Sequence, residues 1–251
     1  VTFPSGITVD GLGASAKCMT CHQGRGSTVS VDKVITDAKL ADDDTVSDKL
    51  GFQNIHYFPA AATLQAGRVK GGYQYKDSVY DWRFRHAPNF SDCTGCHDPH
   101  TLKVKITDCA TCHAGVTKVE DLKNIRMIAS KGIDYDGDGD TTKGIYHEII
   151  GLQTKLMTGL MAYAKEKSKK EICYKSTAYP YFFIDADKDG KCTDTDKDKY
   201  NGFTPRLIRA AYNYQLSIKD PGAFAHNAKY IIQLLHDSIT DLNGTITAKV
   251  D

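Results

Sequence analysis

Three runs of the chain, Cys18-Met19-Thr20-Cys21-His22, Cys93-Thr94-Gly95-Cys96-His97 and Cys109-Ala110-Thr111-Cys112-His113, repeat one arrangement: two thiols two residues apart, then an imidazole directly after the second. Two chemistries use paired cysteines in this way. The first is zinc, for which Cys93, Cys96, Cys109 and Cys112 could supply four thiolates from two knuckles. The second is covalent attachment of c-type haem, in which both thiols add to the porphyrin vinyl groups and the histidine ligates the iron from one face. Zinc gives no reason for a histidine after every pair. With 9 histidines in 251 residues, three such placements by chance have a probability of roughly one in twenty thousand. The spacing therefore makes Cys18, Cys21, Cys93, Cys96, Cys109 and Cys112 the attachment thiols of three haems, and His22, His97 and His113 their proximal ligands.

Each iron then needs a ligand on its other face. Outside the motifs lie His56, His86, His100, His147, His226 and His236. His56 opens a short helical segment, His86 precedes the paired motifs, and His226 stands near the start of a C-terminal helix. His100 follows His97 too closely to reach round that haem, but it can serve a neighbouring one. These four are the distal candidates, with the assignment of each to a haem left open. His147 and His236 lie beside apolar helix stripes and read as ordinary helix residues. Of the 8 cysteines, Cys173 and Cys192 are left over. In the oxidising compartments where c-type haem is attached, such a pair can close a disulfide worth about 3 kcal/mol.

A third chemistry sits further along. DYDGDGD, with Asp134, Asp136, Asp138 and Asp140, and DADKDGKCTDTD, with Asp185, Asp187, Asp189, Lys191 and Asp196, both carry the alternating carboxylates and turn glycine of a calcium loop. Asp196 takes the closing twelfth position of the second loop. In the first that position is Ile145, and Glu148 is the nearest substitute. The expected role of calcium is structural, against the alternative of solvated acidic turns.

The elements that must hold these groups divide the chain in two. Residues 1–128 carry all three motifs but few periodic apolar segments, so a triheme domain is expected there with the haems as its core, wrapped by short helices and loops. Residues 129–251 carry the two acidic loops and the convincing helices. Ile145, Ile149, Leu152, Leu156, Leu160 and Tyr163 share one helical face; Thr204-Pro205 opens a second helix; and Phe224, Ala228, Ile231, Leu235, Ile239 and Leu242 line a third. The fold class is thus mainly α with much irregular structure. The 14 tyrosines are expected to pack against porphyrin faces rather than to form an electron relay.

The run GFQNIHYFPAAATLQAGRVKGGYQY, followed by HAPNFSDCTGCHDPHTLKVKITDCATCH, resembles multihaem c-type cytochromes of anaerobic, metal- and sulfur-respiring bacteria. The tail TPRLIRAAYNYQLSIKDPGAFAHNAKYIIQLLHDSI resembles the C-terminal segment of some of the same proteins. The resemblance implies bis-histidine ligation, closely stacked haems and export from the cytoplasm. By it His56, His86, His100 and His226 all fall at motif positions, four candidates for three irons. The extra one is then structural, or it ligates a haem in a neighbouring subunit, as in filament-forming multihaem cytochromes.

An iron with two histidines has no vacant position for substrate, so the expectation is electron transfer rather than enzymatic catalysis. Without a methionine ligand the potentials are expected to be low. The expected partners are redox proteins or extracellular electron acceptors, with a homopolymer as a further form. Lys plus Arg, 32, against Asp plus Glu, 31, gives no bulk charge for nucleic acid, and no apolar run reaches the length of a membrane span. The chain starts VTFPSGITVD without the features of a signal peptide, which fits an exported, processed protein in the periplasm or outside the cell. Two alternatives are kept: a multihaem reductase of a nitrogen or sulfur oxyanion with one open haem, and a calcium-dependent adhesion protein with incidental haems.

Overall fold

The computed structural model describes residues 1–245; the last residues of the C-terminal half, 246–251, lie outside the described residues. Five short helices come first: α1 (Ser15–Cys21), α2 (Thr28–Ala38), α3 (Ala60–Gln65), α4 (Cys93–Cys96) and α5 (Ile106–Ala110). They are followed by α6 (Ile145–Tyr163), α7 (Pro205–Lys219) and α8 (Ala223–Asn243), with strands β1 (Ile172–Tyr174) and β2 (Phe182–Ile184) between α6 and α7. The strands pair antiparallel, with Cys173 opposite Phe183. The mainly α, largely irregular architecture agrees with the sequence.

The three long helices pack on one another. On α6 the stripe Ile149, Leu152, Leu156, Leu160 and Tyr163 is buried, as its period requires. Thr204 caps α7 by accepting the Leu207 N–H at 3.1 Å, with Pro205 in the first turn. On α8, Ile231, Leu235 and Leu242 are buried, and Tyr230, Leu234 and Ser238 widen the stripe. Full burial of each such apolar side chain contributes roughly 1.5–3 kcal/mol, so this contact dominates the fold's stability.

The core crosses residue 128. Val31 and Ala38 of α2, with Leu50, Ile55, Tyr73 and Tyr80, join the long helices in one cluster. Irregular chain can be buried there because side chains of α7 and α8 satisfy its backbone. Asn213 accepts the Tyr73 N–H at 2.7 Å and donates to the Tyr73 carbonyl at 2.9 Å. Gln215 accepts the Ile55 N–H at 2.8 Å, and the hydroxyl of Tyr230 accepts the Gly72 N–H at 2.9 Å. A Cβ at Gly72 would collide with Leu234, so only glycine lets the chain run this close to α8.

Four of the tyrosines have a role in the protein core. Tyr163, Tyr200, Tyr212 and Tyr230 are fully buried among the helices, and their hydroxyls are used as hydrogen-bonding groups there.

A second, smaller cluster of Phe3, Val9, Met19, Ala61 and Val69 seats α1 against α3. By contrast, no residue from 81 to 115 is buried. That stretch contains two of the three C-x-x-C-H motifs and has no apolar core of its own.

Candidate haem sites

Each motif adopts the same turn. The histidine N–H donates to the carbonyl of the first cysteine, at 2.9 Å for His22, 2.8 Å for His97 and 2.9 Å for His113. This one turn of helix holds the second cysteine and the histidine of a motif directly after the first. Asp92 caps the second turn by accepting the Gly95 N–H at 2.8 Å. A Cβ at Gly95 would strike the Asn89 carbonyl, so the chain leading into α4 passes too close for any other residue.

The three turns lie in a row. Ser15 of α1 accepts the Cys93 N–H at 3.2 Å, and the thiols of Cys18 and Cys93 are neighbours. The spacer after His97 folds back on itself: Asp98 and Lys103 pair through Asp98 N–H to Lys103 O at 2.9 Å, and Lys105 N–H reaches Cys96 O at 2.9 Å. Lys105 also donates its ammonium to the Thr94 carbonyl at 2.8 Å. This hairpin brings Cys109 next to Cys96, so the order along the row is first, second, third motif. Burial pushes the Cys93, Cys96 and Cys109 thiols up from their ordinary pKa, which keeps them protonated as free thiols.

Two pairs of imidazoles lie close together. The ring centroids of His113 and His86 are 6.0 Å apart, with planes 30° from parallel. Those of His97 and His226 lie 6.5 Å apart at 39°. Two imidazoles on opposite sides of one metal, with metal–nitrogen bonds of about 2.0–2.1 Å, would have centroids about 6.3 Å apart. His56 is within electrostatic reach of His22, and the chain around it wraps that site: His56 N–H donates to Gly24 O at 2.8 Å and Ala61 N–H to His22 O at 2.9 Å. Zinc, in contrast, finds no tetrad. Among the described residues, the clusters of metal-type ligands are Asp134, Asp136 and Asp138, and Asp185, Asp187 and Asp189; no three thiols or imidazoles converge.

Several imidazoles have their Nδ1 committed, which leaves Nε2 as the free donor. His22 Nδ1 bonds the Phe58 carbonyl at 2.7 Å and His97 Nδ1 the Leu102 carbonyl at 3.1 Å. His226 Nδ1 lies 2.9 Å from both carboxylate oxygens of Asp220. An acceptor bonded to one ring nitrogen is what orients a histidine that ligates a metal through the other. Burial opposes charging of His226, but Asp220 outweighs it and the pKa is raised. At His86 and His56 burial lowers it, helped at His86 by His113 and at His56 by Arg25, Lys219 and His22. Cavities of about 410 Å³ beside Cys112 and His113 and about 360 Å³ between Cys18, Cys93 and His97 adjoin these groups. The donor set fits covalent haem.

Not every candidate is brought in. His100 is exposed, with its backbone N–H on Asp98 at 3.0 Å, and pairs with no ring among the described residues. The Cys173 and Cys192 sulfurs are bonded at 1.97 Å, and the six motif cysteines form no disulfide. The two acidic loops differ from one another. In the first, the cation among the carboxylates is Lys143, whose ammonium lies 2.8 and 2.7 Å from the two oxygens of Asp136 and 2.5 Å from Asp138. Glu148 is tied to Arg126 at 2.5 Å and to the N–H groups of Tyr135 and Asp136, and Asp140 bonds Thr142. Asp134, Asp136 and Asp138 converge as the sequence expects, with the internal ammonium of Lys143 lying against two of them. In the second loop Asp185, Asp187 and Asp189 converge with no lysine among them, and Asp196 holds the Ala186 and Thr193 N–H groups. Lys191 donates only its backbone N–H, to Asp189. Sequence reasoning missed Lys143, Asp220 and the Phe58 and Leu102 carbonyls. A lysine inside the loop and an aspartate six residues before a candidate histidine were the available signals.

Three C-x-x-C-H turns with two imidazole pairs beside them are the make-up expected of a multihaem c-type cytochrome like those of metal-respiring bacteria. Comparison with known proteins agrees. The chain is 28% identical over 289 aligned residues, covering 98% of its length, to the C-type polyheme cytochrome OmcB of two strains of Geobacter sulfurreducens. It is 27% identical, again over 98% of its length, to the C-type polyheme cytochrome OmcC of that organism. It spans 34% of the first relative and 33% of the second, about a third of their lengths. No protein-family model and no solved structure matches. Among the described residues no helix is long and apolar enough to cross a membrane.

Proposed function

We propose that this chain transfers electrons through three covalently attached haems, each held by two histidines: His22 with His56, His97 with His226, and His113 with His86. The observation that carries the reading is the pairing of His97 with His226 and of His113 with His86 at 6.5 and 6.0 Å, the separation expected of two axial ligands on one iron. Haem, when bound, supplies an iron that accepts and releases one electron without a change of ligands. The chain's own residues do the rest. The six thiols would tether the groups; the carbonyls of Phe58 and Leu102 and the carboxylate of Asp220 engage Nδ1 of His22, His97 and His226 and leave Nε2 of each for the iron. The contacts of Cys18 with Cys93 and of Cys96 with Cys109 keep the three sites adjacent, so an electron has a short path along the row.

Two histidines on each iron would leave none open to substrate, which favours a relay over a reductase. We place the protein outside the cytoplasm, where the attachment chemistry and the Cys173–Cys192 bond are at home, and where its partners are redox proteins or extracellular acceptors. It acts there as a discrete carrier or as one unit of a polymer, with exposed His100 as the group left over for a neighbour. Calcium at the second acidic loop belongs to the same proposal as a structural ion, supported by the converging oxygens of Asp185, Asp187 and Asp189 and by Gly190 at φ 78°. The test is the mass of the holo-protein under denaturing conditions. Three haems that stay on the polypeptide support the proposal, and a chain that sheds them, or carries zinc instead, overturns it.

A further inference from the structure

We propose that two consecutive residues at the end of α7, Lys219 and Asp220, set a step in reduction potential between neighbouring haem sites, with the first site above the second. The inference rests on the bis-histidine reading above. Both residues are buried, Lys219 at 9% exposure and Asp220 at 2%, and they point to different sites.

Asp220 serves the second site. Its two oxygens lie 2.9 Å from Nδ1 of His226, and its Oδ1 also accepts the Gly222 N–H at 3.1 Å, which fixes the carboxylate in place. A carboxylate on Nδ1 makes Nε2 a stronger donor and adds a full negative charge near the iron, both of which favour the oxidised state. Lys17 and Asp98 also line that cavity, but Lys17 is exposed and Asp98 is occupied by Thr101 and the His100 N–H.

Lys219 serves the first site. Its ammonium donates to Asn54 Oδ1 and to the Ile55 carbonyl, both at 2.7 Å, directly before His56, and lies 3.9 Å from the centre of the Tyr181 ring. Burial lowers its pKa to about 8, so it is mostly protonated at pH 7, and among the described residues no carboxylate pairs with it to cancel that charge locally. The histidines there see only a neutral acceptor, the Phe58 carbonyl at 2.7 Å from His22. A buried positive charge favours the reduced state. One electron therefore passes downhill from a reduced second site to an oxidised first site; no bond forms or breaks, and the Nδ1 proton stays on His226.

The experiment is an optical redox titration of the holo-protein, wild type against Asp220→Asn and Lys219→Met. At pH 7, Asp220→Asn should raise one of three one-electron components by at least tenfold in its equilibrium constant, about 59 mV, and Lys219→Met should lower a different component, one that lies above it in the wild type. Asp220→Glu, which restores the charge, should return the first of these toward its wild-type value. If Asp220→Asn loses its folded far-UV spectrum, Lys219→Met alone decides. The inference is overturned if the folded variants leave the components where they were, if both move the same component, or if the component that Asp220→Asn moves lies above the one that Lys219→Met moves. If the wild type does not hold three haems with filled axial positions, the functional reading fails first; if it does and the potentials ignore both charges, only this inference fails.

Discussion

Replacing Lys143 by methionine should destabilise the protein and turn the first acidic loop into a calcium site. The Lys143 ammonium bonds both oxygens of Asp136, whose side chain is 3% exposed, while its own is 13% exposed. Burial raises the Asp136 pKa, and Lys143 is the main group opposing that rise. Removing one member of a buried pair costs about 3–5 kcal/mol because the other is left charged and dry. The Asp138 side chain in the same cluster is 51% exposed, so the lower figure applies. A loss of about 3 kcal/mol in a chain of this size lowers the melting temperature by roughly 6–12 °C. The assay is thermal denaturation of wild type and Lys143→Met, each in chelator and in millimolar calcium. In the variant, Asp134, Asp136 and Asp138 still converge without their internal cation, so calcium should restore part of the loss and stabilise the variant more than the wild type. A variant that melts with the wild type in chelator would refute the reasoning.

Other perturbations test other links. His226→Ala should open one site in three, so that carbon monoxide shifts about a third of the reduced Soret band, whereas His100→Ala should shift none. Replacing Cys173 and Cys192 with serine removes a link between residues 19 apart; urea denaturation should show a loss of about 3 kcal/mol with the haem spectrum unchanged. Burial pushes the Asp44 carboxyl up, but Tyr163 and Arg206 outweigh it and its folded pKa falls below 3.8. A depressed carboxylate contributes stability above its unfolded pKa and loses it as pH falls through the folded one. The stability gap between wild type and Asp44→Asn should therefore be constant near neutrality and close below pH 3.8, which acid denaturation curves will read.

The parts legible in the sequence were those written locally. An attachment turn needs only five consecutive residues, and α6, α7 and α8 announce themselves by apolar period and, for α7, by Thr204-Pro205. The pairing of imidazoles was not legible because it is a matter of tertiary distance. His226 reaches His97 from across the chain, on a first turn of α8 set off by the non-helical Asn227 at φ −167°. That residue restarts the helix by accepting the Tyr230 N–H at 3.1 Å, and its amide donates to Trp82 O at 2.9 Å. The fate of the tyrosines was hidden for a related reason. Composition shows how many there are, but only the packed structure shows the irregular segments at Ile55 and 71–73 whose backbone groups α7 and α8 had to satisfy. The first acidic loop matched a calcium pattern in its carboxylates, and the pattern says nothing of a lysine folded back among them.

The most direct test of the central claim is the optical spectrum of the dithionite-reduced holo-protein before and after carbon monoxide, which binds ferrous haem only where a coordination position is free. With His22, His97 and His113 each opposed by a second histidine, the Soret band should not move. A shift of about a third of its intensity would show one open iron, contradict the pairing at that site, and bring the reductase reading forward.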